Sequence, residues 1–325
     1  MKRREFIALL GGAAAAWPLA ARAQQKTMPV IGFLNGASPE PYADRVHAFR
    51  QGLSETGYVE HRNVAIEFRW AEGRYDRLPA MAADLVRRQV AVIVVNTPAI
   101  LPTKAATTTI PIVFYTATDP VAGGFVSSLS RPGGNLTAVT SLNVLLVPKR
   151  VELLHELTPT TRIMAALVNP TNPAAETQAK DLKAAAGDLG LSLEVVQASS
   201  EGDFDAVFGS LVKMRAGALV IAGDPLFTSH DAQLGALALR GMMPAIYQTR
   251  GFTAGGGLMS YVGRNTDDYR RVGLYTGRIL KGEKPPDLPV QQVAAVELII
   301  NLKTAKALGL TVPPALVYRA DEVIE

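Results

Sequence analysis

Ile110-Pro111-Ile112-Val113-Phe114-Tyr115, leading to Ala122-Gly123-Gly124, is written a second time as Met243-Pro244-Ala245-Ile246-Tyr247-Gln248, leading to Ala254-Gly255-Gly256. Working outward, Ile31-Gly32-Phe33-Leu34-Asn35 is matched by Ala166-Leu167-Val168-Asn169, and the glycine stop at Gly57-Tyr58 by Gly190-Leu191. Asn35 and Asn169 lie 134 residues apart, Gly57 and Gly190 133, Pro111 and Pro244 133, Ala122 and Ala254 132. Near-constant spacing over four landmarks marks an internal duplication rather than the strand-turn-helix grammar that any two α/β units share.

Between the landmarks, short apolar runs alternate with amphipathic stretches, the pattern of parallel sheets flanked by helices. Strands are expected at Val30–Leu34, Val64–Trp70, Val90–Val95 and Ile112–Tyr115, and again at Ile163–Val168, Ser192–Gln197, Ala218–Ala222 and Ala245–Gln248. The fold class is therefore α/β: two similar Rossmann-like lobes with parallel sheets, joined by a multi-strand hinge. Residues 24–140 plus about 262–290 are expected to form one lobe, and 141–261 plus about 291–325 the other. The crossings fall near Thr140-Ser141-Leu142, Ser260-Tyr261-Val262-Gly263 and Val290-Gln291-Gln292. Size agrees, since about 300 residues remain after residues 1–23, roughly where one core stops growing and chains divide.

Those first residues read as an export signal. Lys2-Arg3-Arg4 precede the apolar run Phe6–Trp17 and the small-residue site Ala21-Arg22-Ala23, with cleavage expected after Ala23 and the periplasm as destination. Arg3-Arg4 before Glu5-Phe6-Ile7 resembles a twin-arginine signal, although Lys2 stands where Ser or Thr is usual. The apolar run is shorter than the roughly 18 to 20 residues that span a bilayer, so no stable membrane insertion is expected. The chain has no cysteine, which suits an oxidising compartment and leaves nothing for lipid attachment. Lys2, Arg3, Arg4 and Arg22 against Glu5 contribute +3 of the formal +4, leaving +1 afterwards. Without a basic stripe, no nucleic-acid partner is expected.

Open parallel sheets bind ligands beyond the carboxyl ends of their strands, where helix starts offer free N–H donors. The candidates at those ends are Asn35, Ser38, Asn96, Thr97, Thr116 and Asp119 in the first half, and Asn172 and Asp224 in the second. Ser, Thr and Asn at helix starts are more often simple caps, and Asp before Pro is a common turn, so convergence rather than any single residue supports a site. Asp224 directly follows a strand and is the better partner for a ligand ammonium. Trp70, Tyr115, Tyr247 and Tyr261 supply aromatic surface at strand ends or a crossing, with core packing as the competing reading. His47, His61, His155 and His230 are scattered, and no Gly-x-Ser-x-Gly elbow occurs, so neither catalytic residues nor a metal site is expected. Gly133-Gly134 and Gly255-Gly256-Gly257 lack phosphate-loop spacing, and no cofactor is expected.

The phrase Thr118-Asp119-Pro120-Val121 through Leu129-Ser130-Arg131-Pro132-Gly133-Gly134-Asn135-Leu136-Thr137 resembles a known family, as do Lys149-Arg150-Val151-Glu152-Leu153-Leu154, Gly282-Glu283-Lys284-Pro285 and the tail from Asn301 to Glu325. It is that of the substrate-binding proteins of bacterial ABC importers, in the tryptophan-binding-protein-like group with the type I periplasmic-binding fold. The resemblance implies a monomeric clamshell that closes on a small organic solute, an amino acid or an aromatic or carboxylated metabolite, and docks on an inner-membrane ABC permease. A sensor subunit reporting occupancy to a membrane receptor stays open as an alternative, and a two-lobed periplasmic enzyme after it.

Overall fold

The computed structural model describes residues 28–141, 146–263, 265–292 and 296–325. The export signal expected at 1–23 and the expected crossing residue Leu142 lie outside them. The first unit runs β1 (Val30–Asn35), α1 (Ala43–Glu55), β2 (Ala65–Trp70), α2 (Leu78–Arg87), β3 (Val92–Asn96), α3 (Thr97–Ala106), β4 (Ile112–Thr116) and β5 (Leu136–Thr140). The second runs α4 (Val147–Leu157), β6 (Ile163–Val168), α5 (Ala175–Asp188), β7 (Ser192–Gln197), α6 (Phe204–Lys213), β8 (Ala218–Ile221), α7 (Pro225–Ser229), α8 (Asp231–Arg240), β9 (Ala245–Tyr247), α9 (Arg250–Ala254) and β10 (Met259–Gly263). Then follow α10 (Asn265–Leu280), β11 (Gln291–Gln292), β12 (Val296–Asn301), α11 (Leu302–Ala307), α12 (Pro314–Arg319) and β13 (Glu322–Ile324).

The strands form two sheets, ordered β11-β5-β4-β3-β1-β2 and β13-β12-β10-β9-β8-β6-β7. Every pairing between these strands is parallel except β10 with β12. All eight expected strands are present, with ends within two residues of the reading from sequence. Central strands such as Val92–Asn96 are buried along their whole length, which is why they read as continuous Val/Ile runs rather than alternating ones. Each sheet is covered on both faces by apolar clusters, around Phe33 and Phe114 in the first and around Ala166 and Phe227 in the second.

The duplication is visible in backbone chemistry. Helix α1 ends with the N–H of Gly57 on the Ser54 carbonyl and that of Tyr58 on the Leu53 carbonyl. Helix α5 ends in the same way, with Gly190 on Gly187 and Leu191 on Ala186. Both glycines have φ in the left-handed region, +87° and +71°, the backbone that this double-bonded helix stop requires.

The chain passes between the sheets three times, between Ser141 and Leu146, between Gly263 and Asn265, and between Gln292 and Val296. Val262-Gly263 finish a strand of the second sheet and Gln291-Gln292 pair with β5 of the first, two residues across the boundaries drawn from sequence. Helix α10 returns to the first sheet and lies on α1, where a side chain on Gly52 would strike the Arg270 backbone and one on Gly273 the Phe49 backbone. Backbone-to-backbone approach at two glycines therefore fixes this helix pair.

Candidate functional site

The carboxyl ends of the two sheets face one another across a small void of about 60 Å³. Tyr42, Arg45, Asn96, Thr97, Tyr115 and Thr118 line it from the first sheet's side. Asn172, Gln178, Gly223, Asp224, Thr228 and Gln248 line it from the second. Amides, hydroxyls and phenols dominate, a lining suited to a small polar ligand with aromatic surface.

Beneath this lining, each sheet ties its strand-end turns together. In the first, Asn96 Nδ2 donates to Asn35 Oδ1 at 2.9 Å, Asn96 Oδ1 accepts from the Gly36 N–H at 3.0 Å, and Asn35 Oδ1 accepts from the Ala37 N–H at 2.9 Å. In the second the acceptor is a carboxylate. Asp224 receives the Asn172 Nδ2 at 2.6 Å, the Asn169 Nδ2 at 3.2 Å and the Leu226 N–H at 2.8 Å, capping α7. Its fourth donor comes from the other lobe, the Tyr75 hydroxyl at 2.8 Å. Burial raises the pKa of Asp224, and these donors act against that shift. Burial and the neighbouring Asp224 charge also push the Tyr75 phenol well above its ordinary value, so it stays a donor. Two more contacts join the lobes here. The Ser38 N–H donates to Ser229 Oγ at 3.1 Å, and Gly73, at φ +79°, leaves room for Leu226 where a side chain would collide.

On the first lobe's wall the phenols Tyr42 and Tyr115 face the void, and the buried Tyr269 packs against both. Tyr115 and Tyr269 have ring centroids 5.1 Å apart, and Tyr42 meets Tyr269 edge-on at 6.0 Å. The Arg45 guanidinium lies over the Tyr42 ring at 4.4 Å. Behind this wall Asp268 is fully buried, and among the described residues neither carboxyl oxygen has a donor at hydrogen-bond distance. Burial pushes its pKa up to about 7; Asp267 adds to the shift, while Tyr115, Arg271 and Arg45 oppose it. At the floor, the buried Arg150 of α4 donates from Nε to the Tyr261 carbonyl at 2.9 Å, linking the first two crossing segments. Burial lowers its pKa to about 10, still charged at neutral pH.

A family model for ABC transporter substrate binding proteins matches residues 30–324. The chain belongs to this family. A tyrosine-binding protein of Clostridioides difficile is 27% identical over 267 residues, 81% of this chain and 75% of that protein. A solved Streptococcus pneumoniae ABC domain in complex with L-Trp superposes with a TM-score of 0.82 at 27% identity, covering 92% of this chain and all of the other. A conserved domain protein of Vibrio cholerae superposes at 0.84 with 24% identity over 91% of this chain and all of that one. The two-lobed architecture is thus the type I periplasmic-binding fold.

Of the residues singled out from sequence, this substrate-binding protein brings Asn96, Thr97, Tyr115, Asn172 and Asp224 to the inter-lobe void. Asn35, Thr116 and Tyr247 are buried beneath it: Thr116 Oγ1 accepts from Thr97 Oγ1 at 3.2 Å, and the Tyr247 hydroxyl meets Thr228 Oγ1 at 3.0 Å. Ser38 acts through its backbone at the lobe contact. Trp70 stacks on Phe68 and abuts Phe33 in the first core, and Tyr261 packs against the second. Asp119 caps the Val121 and Ala122 amides and lines a separate depression with Thr97 and Pro173. Sequence reading missed Tyr42, Arg45, Tyr75, Gln178 and Asp268. Arg45 and Asp268 sit in the first turns of amphipathic helices, four residues before Phe49 and Val272 of the buried stripes. That spacing was a usable signal.

Proposed function

We propose that this protein is the exported receptor of an ABC importer, that it captures an amino acid with an aromatic side chain between its lobes, and that the closed form delivers it to an inner-membrane permease. The observation that carries the reading is the void itself. Both sheets contribute polar groups to it, so a ligand there touches both lobes and favours the closed arrangement by its differential contacts. The tyrosine-binding and L-Trp-bound relatives support an aromatic amino acid as the occupant. Asp224 serves the closed state through Tyr75, and the phenol wall offers the ligand ring offset or edge-on contacts. Export follows from residues 1–23, with mature Gln24 as the expected N-terminus of the protein recovered from the periplasm.

The test is calorimetry and thermal melting of the mature protein, stripped of ligand by unfolding and refolding, with the twenty amino acids. L-Tyr, L-Trp or L-Phe is expected to raise the melting temperature by several degrees at a hundredfold excess over Kd, about 2.7 kcal/mol of stabilisation. A flat response across the set, with sugars or polyamines stabilising instead, would overturn it.

A further inference from the structure

We propose that Arg45 is the residue by which the cleft selects a ligand carrying a carboxylate. The inference rests on the amino acid reading above and names the group that reads the ligand's anionic end. Two cations among the described residues reach the cleft: Arg150 at its floor, where Nε is held by the Tyr261 carbonyl, and Arg45, which lines the inter-lobe void and also borders the outer void beside Asp231 and Thr249. It therefore stands where the two spaces meet, on the path between solvent and the cleft.

Its bonding differs from that of three other half-exposed arginines. Arg50 is paired with Glu60, Arg270 with Glu55 and Arg278 with Glu283, each a carboxylate supplied by the fold. Arg45 has only a long 3.4 Å bond from Nη1 to the Pro41 carbonyl, and no described carboxylate within ion-pair distance. Asp224, the carboxylate in the same void, already holds four protein donors. A guanidinium keeps its charge at any physiological pH, and closing the lobes over it removes water while Asp231 and Asp268 act on it only from beyond ion-pair distance. A ligand carboxylate supplies an anion within that distance. The Tyr42 ring lies against the guanidinium's face, which leaves the N–H edges of the fork for paired, charge-assisted bonds. Tyr42 and Tyr115, which line the void with the buried Tyr269 packed against both, then lie beside the carboxylate, where an attached aromatic ring belongs.

The test uses the mature, ligand-stripped protein and two variants, Arg45→Met and Arg45→Lys, titrated with L-tyrosine, 4-hydroxyphenylacetate, which keeps the carboxylate without the amine, and tyramine, which keeps the amine without the carboxylate. The wild type is expected to bind at least one of the two acids and to bind tyramine at least about tenfold more weakly. Arg45→Met is expected to weaken the acids by about tenfold to a hundredfold, leave tyramine unchanged and keep the ligand-free melting temperature, with Arg45→Lys between. Equal loss for acid and amine assigns Arg45 to lobe closure and overturns the proposal. Unchanged tyrosine binding in Arg45→Met overturns it while the amino acid reading stands. Loss of 4-hydroxyphenylacetate in Arg45→Met, with no amino acid bound by the wild type, supports it and removes the amino acid reading. Binding of none of the probes removes both. The wild-type ratio of acid to amine decides even if the Met variant fails to fold.

Discussion

Two aspartates among the described residues are buried, Asp224 in the lining of the cleft and Asp268 behind its opposite wall, and they are provisioned oppositely. Asp224 of the second lobe receives four donors, one of them from the first lobe. Asp268 of the first lobe has none at hydrogen-bond distance among the described residues. Burial raises the pKa of both, but Asp224 has donors that favour its charged form, whereas Asp268 is pushed to about 7 with little to hold its charge. The same residue type is thus a structural hub on one side and an electrostatic liability on the other. Asp224 follows a strand end where donors from three turns converge; Asp268 lies on the stripe of α10 that faces the core with Val272 and Tyr275.

The contrast breaks most visibly at Asp224. Replacing it by Ala strands two amide side chains, a half-buried phenol and the first free amide of α7. Asp224→Ala is expected to lower unfolding stability by about 3 to 5 kcal/mol, read as a drop in the denaturation midpoint by urea. A loss below about 1 kcal/mol would mean that the donors re-pair elsewhere, and Asp224 would lose its standing as a hub.

Asp268 should respond with the opposite sign. Its folded pKa of about 7 lies above an unfolded value near 3.9. Below about pH 4 both states carry the proton, and Asp268 makes no difference to stability. Between about pH 4 and 7 the unfolded chain loses the proton while the folded one keeps it, so stability falls by about 1.4 kcal/mol per pH unit. Above pH 7 the accumulated cost, up to roughly 4 kcal/mol, is constant. Asp268→Asn, an isostere of the protonated acid, is expected to match wild type near pH 4, to exceed it at pH 8, and to flatten the curve between. Parallel wild-type and variant curves from pH 4 to 8 would show that Asp268 does not titrate in this range.

How much of this was readable beforehand follows the range of the interactions. The strands announced themselves because two-faced burial demands unbroken runs such as Val92-Ile93-Val94-Val95, and the helix stops because Gly57 and Gly190 are local devices. Asp267 and Asp268 both lie in the first turn of α10, where acids complement a helix start. Only the stripe set by Tyr269, Val272 and Tyr275 separates the exposed acid from the buried one. The partners of Asp224 are another matter. Asn169 and Asn172 lie 55 and 52 residues away and Tyr75 lies 149 away in the other lobe, so no local pattern pairs them. Strand-end bookkeeping found Asp224, but as a ligand group rather than as the acceptor of a cage.

Within that cage the donors can be ranked. Asn172 reaches Asp224 at 2.6 Å and also accepts from the Ala174 N–H at 2.9 Å, ordering the turn before α5. Asn172→Ala removes one of four donors and one turn bond, and is expected to cost about 1 to 2 kcal/mol of stability, less than half the effect of Asp224→Ala. Equal losses would make Asn172 the hub and Asp224 its dependant.

The smallest effect separates folding from closing. Tyr75 gives Asp224 its one donor from the opposite lobe, so that bond exists only while the lobes are together, whereas the two asparagines and the Leu226 amide serve Asp224 in either arrangement. Tyr75→Phe keeps the ring against Gly36 and deletes only the hydroxyl. Stability of the ligand-free protein should change by less than about 0.5 kcal/mol if the open form dominates without ligand. Ligand affinity should fall about three- to tenfold, because each binding event then closes the lobes without a bond of about 1 kcal/mol. The loss should appear mainly as faster dissociation, since the bond forms after encounter. Unchanged affinity with a lowered melting temperature would place Tyr75 with the asparagines, as a support of the second lobe rather than a latch between the two.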